Sequence, residues 1–406
     1  MNDSFKHHFH QLAQIGALPE GGVSRLAFTP EDKLARSWLM QCMVKAGLSV
    51  STDAAGNIIG RRRGQKELAP VMTGSHIDTV PQGGNYDGTV GVLAGLEVIR
   101  RFNRENIQTK RPIDIICFSA EESSRFGMAT IGSKAFTGNL DAEKARSLKD
   151  KEGVSLYRAL TEAGCTPDDL GHHPTLPVHA FIELHIEQGP VLEACHCPIG
   201  VVTSIAAPTR FKVILKGRSD HSGSTPMNMR RDALAGVSEL ILGVERIASR
   251  EAGKNTVGTA GYAWAMPGSM NVIPGRVEAG IDIRDINRDD KEKAVKAIKS
   301  LMGDIAQKRG LTVSCDQLCH EEPVALSGKM VHLLEKAAHA CKLESMRLPS
   351  GAGHDAMNMA KITDTGLIFI PSLGGISHNS AEYTPDQDIE AGIKVLHKTL
   401  LHLAQE

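Results

Sequence analysis

The sequence lacks a surplus of charge of either sign, a long apolar run and a regular cysteine framework. Its 406 residues carry 46 basic and 47 acidic side chains, a formal net charge of −1. Nucleic acids and anionic membrane surfaces both attract proteins with a basic surplus, so we expect neither as the main partner. No stretch approaches the roughly 18 uninterrupted apolar residues that a membrane span needs.

Two further absences bear on the cellular compartment. The N-terminal stretch MNDSFKHHFHQLAQIG contains no apolar core and no small-residue cleavage site, which argues against a secretory signal peptide. The eight cysteines are scattered without the spacing of a disulfide framework, in a chain long enough not to need one. The sequence therefore predicts a cytoplasmic protein.

Two small groups of cysteines resemble fragments of a zinc-binding pattern. They are Cys195 with Cys197, and Cys315 with Cys319, each accompanied by a histidine. A structural zinc site needs four ligands, usually from two paired short spacings, and these halves lie far apart with irregular spacing. We interpret all four residues as free thiols.

The length of the chain predicts two domains, because one domain typically contains about 100–200 residues. Patterns typical of buried strands occur at 70–76, 113–118, 179–185 and 365–370, and an amphipathic helix pattern spans 88–101. Strands that alternate with helices are typical of a mostly parallel α/β sheet. Ligands of such sheets bind beyond the carboxyl ends of the strands.

A different pattern spans residues 209–324. It has the order strand–helix–strand–strand–helix–strand, with helices at 232–250 and 291–309, which is typical of a small α+β sandwich. The chain on either side keeps the α/β pattern. We therefore predict an α/β domain formed by 1–208 and 325–406, with an α+β domain inserted between these two segments.

Histidines and carboxylates are concentrated where the predicted strands end. His76 and Asp78 follow the first strand, Glu121 and Glu122 follow the second, and His185 ends the third. The carboxyl ends of parallel strands share one edge of a sheet, so these side chains should lie close together. Imidazole nitrogen and carboxylate oxygen suit Zn, Mn, Co or Ni. The sequence thus predicts a metal site at this edge.

The residue types also indicate separate roles within such a site. Two metal ions about 3.5–4 Å apart need a bridging carboxylate, and Asp87, flanked by glycines, is the natural bridge. Asp78 lies on the same side of a strand as His76, so it is expected to accept the second imidazole proton. Of the pair Glu121 and Glu122, one can bind a metal while the other takes a proton from water.

A series of motifs resembles the amidase, hydantoinase/carbamoylase branch of the aminoacylase/carboxypeptidase-type metallohydrolases. In chain order they are SHIDTV (75–80), GGNYDG (83–88), AEESSRFG (120–127), ELHIEQGPVLE (183–193), DHSGSTPM (220–227), RRDA (230–233), NVIPG (271–275), DIR (282–284), LPSGAGHDA (348–356) and SHNSAEYT (377–384). The resemblance implies an aminopeptidase-like catalytic domain with a two-metal centre. It also implies that the inserted domain is a lid that forms a homodimer.

The resemblance further implies a role for each matching residue of the metal centre. The implied metal ligands are His76, Asp87, Glu122, His185 and His378, with Asp87 as the bridge. The implied cofactors are two divalent ions per subunit, Zn²⁺ or Mn²⁺, with Co²⁺ and Ni²⁺ as alternatives. Glu121, the first residue of the glutamate pair, is the implied general base.

The implied substrate contacts are spread along the chain. They are Gln188, His221, Asn271, Arg284 and Gly351. His221 is implied to stabilise the oxyanion in the active site of the partner subunit, whereas Asn271 and Arg284 are implied to hold the substrate carboxylate. From the residues alone, His221 could instead be an exposed turn residue, and Arg284 could simply pair with a neighbouring aspartate.

The predicted function is metal-dependent hydrolysis of the carbamoyl or ureido C–N bond of a small acid, releasing ammonia and carbon dioxide. His185 favours this branch, because related peptidases typically have aspartate there. N-carbamoyl-L-amino acids, allantoate and 3-ureidopropionate remain open as substrates. An aminoacylase or dipeptidase is the alternative enzyme. A non-catalytic metal-binding protein would be expected to lack Glu121 or a ligand, and all are present.

Overall fold

A computed structural model describes residues 3–171 and 177–406 of the chain. The chain divides into two compact units. The first unit contains Met1–Thr203, Leu326–Leu348 and Gly353–Glu406, and the second contains Ser204–Ala325 with Pro349–Ala352. The second unit is therefore inserted into the sequence of the first.

Strands and helices account for most of the described chain. The strands are β1 (Ser49–Thr52), β2 (Ile58–Arg62), β3 (Val71–His76), β4 (Ile113–Phe118), β5 (Ala180–Ile186), β6 (Ile199–Ile205), β7 (Ala207–Lys216), β8 (Val257–Met266), β9 (Arg276–Asp285), β10 (Thr312–His320), β11 (Val324–Ala325), β12 (Ser345–Ser350) and β13 (Asp364–Ile370). The helices are α1 (Asp3–Gln14), α2 (Pro30–Lys45), α3 (Thr89–Arg104), α4 (Ile131–Phe136), α5 (Ala142–Ser147), α6 (Leu156–Glu162), α7 (Val191–Ala194), α8 (Ala233–Arg246), α9 (Arg288–Arg309), α10 (Gly328–Ala340), α11 (Ala356–Met359) and α12 (Asp386–Ala404). In the described part of the chain, no helix is both long and apolar enough to span a bilayer.

The first unit is built on a mixed sheet whose strand order includes β1-β2-β4-β3-β5-β13-β6. The four central strands β4, β3, β5 and β13 are parallel to one another, so their carboxyl ends lie along one edge. Two registers fix this edge: His76 is opposite Phe118, and His185 is opposite Phe369. The predicted mixed α/β class is confirmed.

Helix α3 covers this sheet directly after the loop that contains Asp87. Its apolar side chains Val92, Leu96, Ile99 and Phe102 are completely buried, because the helix packs between β3 and α12. Burying each such side chain stabilises the fold by roughly 1.5–3 kcal/mol. The helix therefore holds the end of the Asp87 loop against the sheet.

The second unit contains an antiparallel sheet with the order β10-β7-β9-β8. Its elements follow the predicted order strand–helix–strand–strand–helix–strand. Alternate residues of β9 are buried, among them Val277 and Ile281, and α8 and α9 pack on the sheet. Strand β8 forms one edge and exposes Val257, Trp264 and Met266.

In the described part of the chain, no cysteine belongs to a group of side chains placed to bind a metal ion. All eight are free thiols. Among the described residues, neither Cys195 with Cys197 nor Cys315 with Cys319 belongs to a group of three or more side chains placed to hold an ion. Cys197 is buried, and its thiol lies 3.4 Å from the carbonyl oxygen of Ile199. The interpretation as free thiols agrees with this placement.

Candidate active site

The five predicted metal ligands lie together in the first unit. His76 ends β3, His185 lies near the end of β5, Asp87 precedes α3, and Glu122 and His378 lie in the loops after β4 and β13. Their donor atoms form two overlapping groups, within each of which the atoms lie within 4.8 Å of one another. The buried group comprises His76, Asp87 and His185, and the open group comprises Asp87, Glu122 and His378.

Asp87 is shared by the two groups and presents one carboxylate oxygen to each. Its Oδ1 lies 3.1 Å from Nε2 of His185 and 3.6 Å from Nε2 of His76. Its Oδ2 lies 3.0 Å from Nε2 of His378, which in turn lies 3.2 Å from Oε1 of Glu122. A carboxylate with this arrangement can bridge two cations.

Backbone carbonyls orient the two imidazoles of the buried group. Nδ1 of His76 lies 3.0 Å from the carbonyl oxygen of Asp78, and Nδ1 of His185 lies 2.8 Å from that of Ile186. Because a carbonyl oxygen can only accept, each neutral ring carries its proton on Nδ1. Both Nε2 atoms then present lone pairs towards Asp87, as metal ligation requires.

Asp78 orients His76 through a different atom from the one predicted. Its carboxylate lies 3.6 Å from Nδ1 of His76, farther than its own backbone carbonyl. The carboxylate instead accepts the N–H groups of Glu121 and Glu122, each at 3.1 Å. At 3.6 Å from Nδ1 this carboxylate lies beyond hydrogen-bond distance, so the expectation that it takes the imidazole proton was wrong.

Burial and mutual contact shift the pKa values of the clustered groups. Burial opposes ionisation of Asp87, but in the metal-free protein contacts with the protonated rings of His185, His378 and His76 hold its pKa well below the usual value. Contacts with Asp87 and Glu122 raise the pKa of His378 to about 11. Burial, followed by repulsion from Glu122, raises the pKa of Glu121 well above its usual value. A cluster of carboxylates and imidazoles of this kind is chemically suited to binding a divalent cation.

Three residues other than glycine adopt left-handed backbone conformations around the site. Ala120, Gln188 and His378 have φ values of 48°, 57° and 55°, and each follows one of the parallel strands. Such conformations cost roughly 1 kcal/mol or more and persist where the surrounding structure enforces them. Gly88 has φ 65°, and a Cβ there would lie 2.3 Å from Nε2 of His76. These backbone conformations therefore direct the side chains of the loops towards the metal-ligand groups.

Gln188 is a predicted substrate contact that lies beside the metal ligands. Its Nε2 donates to Oδ2 of Asp87 at 2.8 Å, and its backbone N–H donates to Oγ of Ser372 at 3.1 Å. Its Oε1 is buried, and in the described structure no hydrogen-bond partner reaches it. A carboxamide held this way has one polar atom free for a ligand.

His221 and Asn271 lie in adjacent loops of the second unit. The carbonyl of Asn271 accepts the N–H of Ser222 at 3.0 Å. Nδ1 of His221 accepts the N–H groups of Gly223 and Ser224 at 3.0 and 3.2 Å. The neutral ring therefore carries its proton on Nε2, where it can donate to a ligand. The side chain is exposed.

Arg284 lies elsewhere in the second unit, near the end of β9. Its Nε and Nη2 donate to the two oxygens of Asp282, both at 3.1 Å, and Nη1 donates to the carbonyl of Gly351 at 3.0 Å. Asn271 precedes β9, and the strand from Arg276 to Arg284 is about 26 Å long at about 3.3 Å per residue. Asn271 and Arg284 therefore lie at opposite ends of β9.

No role was assigned from the sequence to Ser377 and Glu382, which lie beside the metal ligands. Oγ of Ser377 lies 3.1 Å from Oδ2 of Asp87 and 2.9 Å from Oε2 of Glu382. The ring of His354 lies 4.5 Å from that of His185, in an edge-on contact. The available signal was proximity in sequence, because Ser377 and Glu382 flank His378 within one motif.

Fold and donor set together define a candidate metallohydrolase, and similar proteins identify its family. The chain matches the model of peptidase family M20/M25/M40 over residues 72–402. It is 40% identical over 398 residues to an N-carbamoyl-L-amino acid amidohydrolase of Geobacillus stearothermophilus, covering 97% of each chain. It is 36% identical over 409 residues to an allantoate amidohydrolase of Bacillus subtilis (strain 168), covering 100% of this chain and 98% of the relative.

A solved structure extends the similarity to the whole fold. The crystal structure of an amidase of the hydantoinase/carbamoylase family from Burkholderia multivorans matches with a TM-score of 0.91 and 38% identity, covering 99% of this chain and 98% of that one. The chain therefore belongs to peptidase family M20/M25/M40 and, within it, to the hydantoinase/carbamoylase amidases. The resemblance seen in the motifs is confirmed.

Proposed function

We propose that this chain hydrolyses the carbamoyl or ureido C–N bond of a small carboxylate-bearing substrate and so releases ammonia and carbon dioxide. The observation that carries the proposal is the pair of ligand groups sharing Asp87, with Glu121 beside them. The names of the relatives, an N-carbamoyl-L-amino acid amidohydrolase and an allantoate amidohydrolase, support this reaction class. Both substrate types, and 3-ureidopropionate, fit the proposal.

The donor set supports two divalent ions per subunit, Zn²⁺ or Mn²⁺, with Co²⁺ and Ni²⁺ as alternatives. One ion would be held by His76, Asp87 and His185, and the other by Asp87, Glu122 and His378. When bound, such ions lower the pKa of water and polarise the carbonyl of the substrate.

Glu121 is the proposed general base. Its carboxyl group is buried, its pKa is raised, and its Oε2 lies 3.8 Å from Nε2 of His76. A carboxyl group with a raised pKa can both accept and release a proton near neutral pH. Glu121 takes the proton of the attacking water, whose oxygen bonds to the carbonyl carbon. It then delivers that proton to the nitrogen of the C–N bond that breaks, so that ammonia leaves. The remaining carbamate then loses carbon dioxide and leaves the amine.

His221 is the proposed donor to the oxyanion that develops during this attack. Its Nδ1 accepts the N–H groups of Gly223 and Ser224, so its Nε2–H faces away from that loop and is oriented before a substrate arrives. Removing one such oriented donor typically lowers kcat by about 10²–10³-fold. Gln188, Asn271, Arg284 and Gly351 are the other proposed substrate contacts, with Arg284 offering the planar guanidinium that binds a carboxylate.

We propose that two copies associate through their second units. Support comes from β8, an edge strand with exposed Trp264 and Met266, because exposed apolar edges favour pairing with another chain. Further support comes from the separation of Asn271 and Arg284 along β9. An association of two second units would allow Asn271 of one copy and Arg284 of the other to contact the same substrate.

Subunit mixing tests this arrangement directly. If His221 acts in the site of the partner subunit, Glu121→Gln and His221→Ala variants should each be inactive alone. After being unfolded and refolded together, they should regain activity, because each mixed dimer contains one complete site. Sedimentation velocity would report the dimer independently. Inactive mixed dimers would contradict action across subunits.

The cytoplasm is the proposed location. All eight cysteines are free thiols, which suits a reducing compartment. Fractionation of cells that express the tagged protein would test this, and recovery with secreted proteins would contradict it.

The reaction itself is tested by ammonia release after removal of metals and reconstitution with Mn²⁺, Co²⁺, Ni²⁺ or Zn²⁺. The substrate panel should contain N-carbamoyl-L-amino acids, allantoate and 3-ureidopropionate, with N-acetyl amino acids and dipeptides for comparison. We expect hydrolysis of at least one ureido acid and its loss in chelator. Preference for acetyl or peptide substrates would instead indicate an aminoacylase or dipeptidase, and activity that survives complete metal removal would refute the metal-dependent mechanism.

A further inference from the structure

The ligands of the candidate metal centre differ in how their backbones are held. His76 and His185 lie in β3 and β5, whose backbones are paired within the sheet. Asp87 lies in the loop 83–88, which contains three glycines, and His378 lies in the loop after β13. Glycine-rich loops are conformationally free, so a ligand on one needs a separate restraint.

Glu382 supplies contacts to both of these loops. Its Oε1 accepts the backbone N–H groups of Tyr86 at 2.8 Å and Asp87 at 3.1 Å. Its Oε2 accepts the hydroxyl of Ser377, the residue before His378, at 2.9 Å. The side chain is only 5% exposed, so these hydrogen bonds form in a largely desolvated environment. Hydrogen bonds to an ionised carboxylate are roughly twice as strong as neutral ones.

The main chain leaves space for this carboxylate only because residue 84 is a glycine. A Cβ at Gly84 would lie 2.1 Å from Oε1 and 2.3 Å from Cδ of Glu382. Any other residue at this position would displace the carboxylate or the loop. The Asp87 loop is therefore shaped to receive Glu382.

Ser377 links Glu382 to the shared ligand itself. Its hydroxyl lies 2.9 Å from Oε2 of Glu382 and 3.1 Å from Oδ2 of Asp87, and it has one proton to donate. When that proton goes to Glu382, the nearer acceptor, the hydroxyl does not occupy a lone pair of Oδ2 of Asp87, which then accepts from Nε2 of Gln188 and keeps a lone pair for a cation.

We propose that Glu382 is a positioning residue of the metal centre. It fixes the backbone of Asp87 directly and the His378 loop through Ser377. Oδ1 of Asp87 is thereby held on the side of the buried group, and Oδ2 on the side of the open group. The metal-binding consequence rests on the proposed function, whereas the restraint on the loops is a property of the protein alone. Changing such an outer hydrogen-bonding partner typically costs about 10–100-fold in metal affinity or activity.

The first experiment measures the restraint without metal or substrate. Hydrogen–deuterium exchange is followed at the amides of Tyr86 and Asp87 in chelator-treated wild type, Glu382→Gln and Glu382→Ala. Losing a hydrogen bond to a charged acceptor should make these amides exchange about 10–100-fold faster in Glu382→Ala. Glu382→Gln should have a smaller effect, because its amide oxygen can still accept. The exposed Glu344, changed to Gln, is the matched control and should exchange as wild type does.

The second experiment titrates Mn²⁺ into the same proteins by calorimetry, with bound metal counted by mass spectrometry. Glu382→Ala and Gly84→Ala should both bind Mn²⁺ about 10–100-fold more weakly than wild type. Gly84→Ala keeps the glutamate, but its methyl group occupies the space of the Glu382 carboxylate. If Glu382→Ala fails to fold, Glu382→Gln and Gly84→Ala still decide the matter. Wild-type exchange rates together with wild-type Mn²⁺ affinity in these variants would overturn the proposal. A wild type that binds Mn²⁺ but hydrolyses no ureido acid would refute only the proposed function.

Discussion

The two ligand groups that share Asp87 are held by different parts of the fold. In the buried group, His76 and His185 are 2% exposed and belong to strands. In the open group, the side chain of His378 is 49% exposed and extends from a loop with a left-handed backbone. The comparison teaches that the sheet itself organises one half of the site, whereas loop-to-loop contacts such as those of Glu382 organise the other.

This difference has a thermodynamic consequence. A ligand that is already rigid loses little conformational entropy when it binds an ion, whereas a mobile loop must be ordered first. We therefore expect the buried group to bind its ion more tightly than the open group does. Four predictions test or sharpen this comparison, in order of decreasing expected effect.

The largest effect is expected from Glu121→Gln, which should leave both ligand groups intact. The amide cannot accept the proton of water, so kcat should fall by about 10²–10⁴-fold. Steady-state kinetics and metal counting on the same preparation provide the measurement. Near-normal kcat with both ions bound would contradict the role of general base, and loss of an ion would show that Glu121 is itself a ligand.

Next in size is the contrast between His378→Ala and His185→Ala. His378→Ala should lose the ion of the open group, retain about one ion per chain and lower the unfolding temperature less than His185→Ala does, because its side chain is half exposed. His185→Ala should also destabilise the protein, since it leaves a cavity among buried groups. Metal counting and thermal unfolding distinguish the two. Equal metal loss and equal destabilisation would eliminate the proposed asymmetry.

A moderate effect is expected in the pH dependence of the metal-free protein. Contacts with Asp87 and Glu122 raise the pKa of His378 to about 11, from the 6.5 that is usual for histidine. Because the folded-state pKa is the higher one, the stabilisation is fully present below pH 6.5 and is lost as the pH rises through about 11. Thermal unfolding in chelator should therefore show a steeper loss of stability over this window in wild type than in His378→Ala. Parallel curves would contradict the prediction.

The smallest effect is expected from Ala120→Gly in the loop that precedes Glu121. Ala120 has φ 48°, so glycine relieves local strain while it increases the entropy of the unfolded chain. The two changes should nearly cancel and leave the unfolding free energy within about 1 kcal/mol of wild type. Ala235→Gly, within helix α8, is the control and should destabilise by about 0.5–1 kcal/mol. Equal destabilisation by both substitutions would argue against strain at residue 120.

The sequence by itself determined the elements that carry the buried group. Apolar periodicity reports local burial, so it located the strands that end at His76 and near His185, and the helix that follows Asp87. The parallel arrangement then followed from the alternation of strands and helices. For the same reason the order of elements in the second unit was predictable, because each element there has its own local pattern.

Only the tertiary structure decided which atoms meet. Glu382 reaches the backbone of Asp87 across 295 positions of sequence, and no local pattern encodes a contact of that separation. The choice between the carbonyl and the carboxylate of Asp78 depended on which of them lies within hydrogen-bond distance of Nδ1 of His76. Periodicity records which side of an element is buried, whereas hydrogen bonding depends on distances and directions that arise only when distant segments pack together.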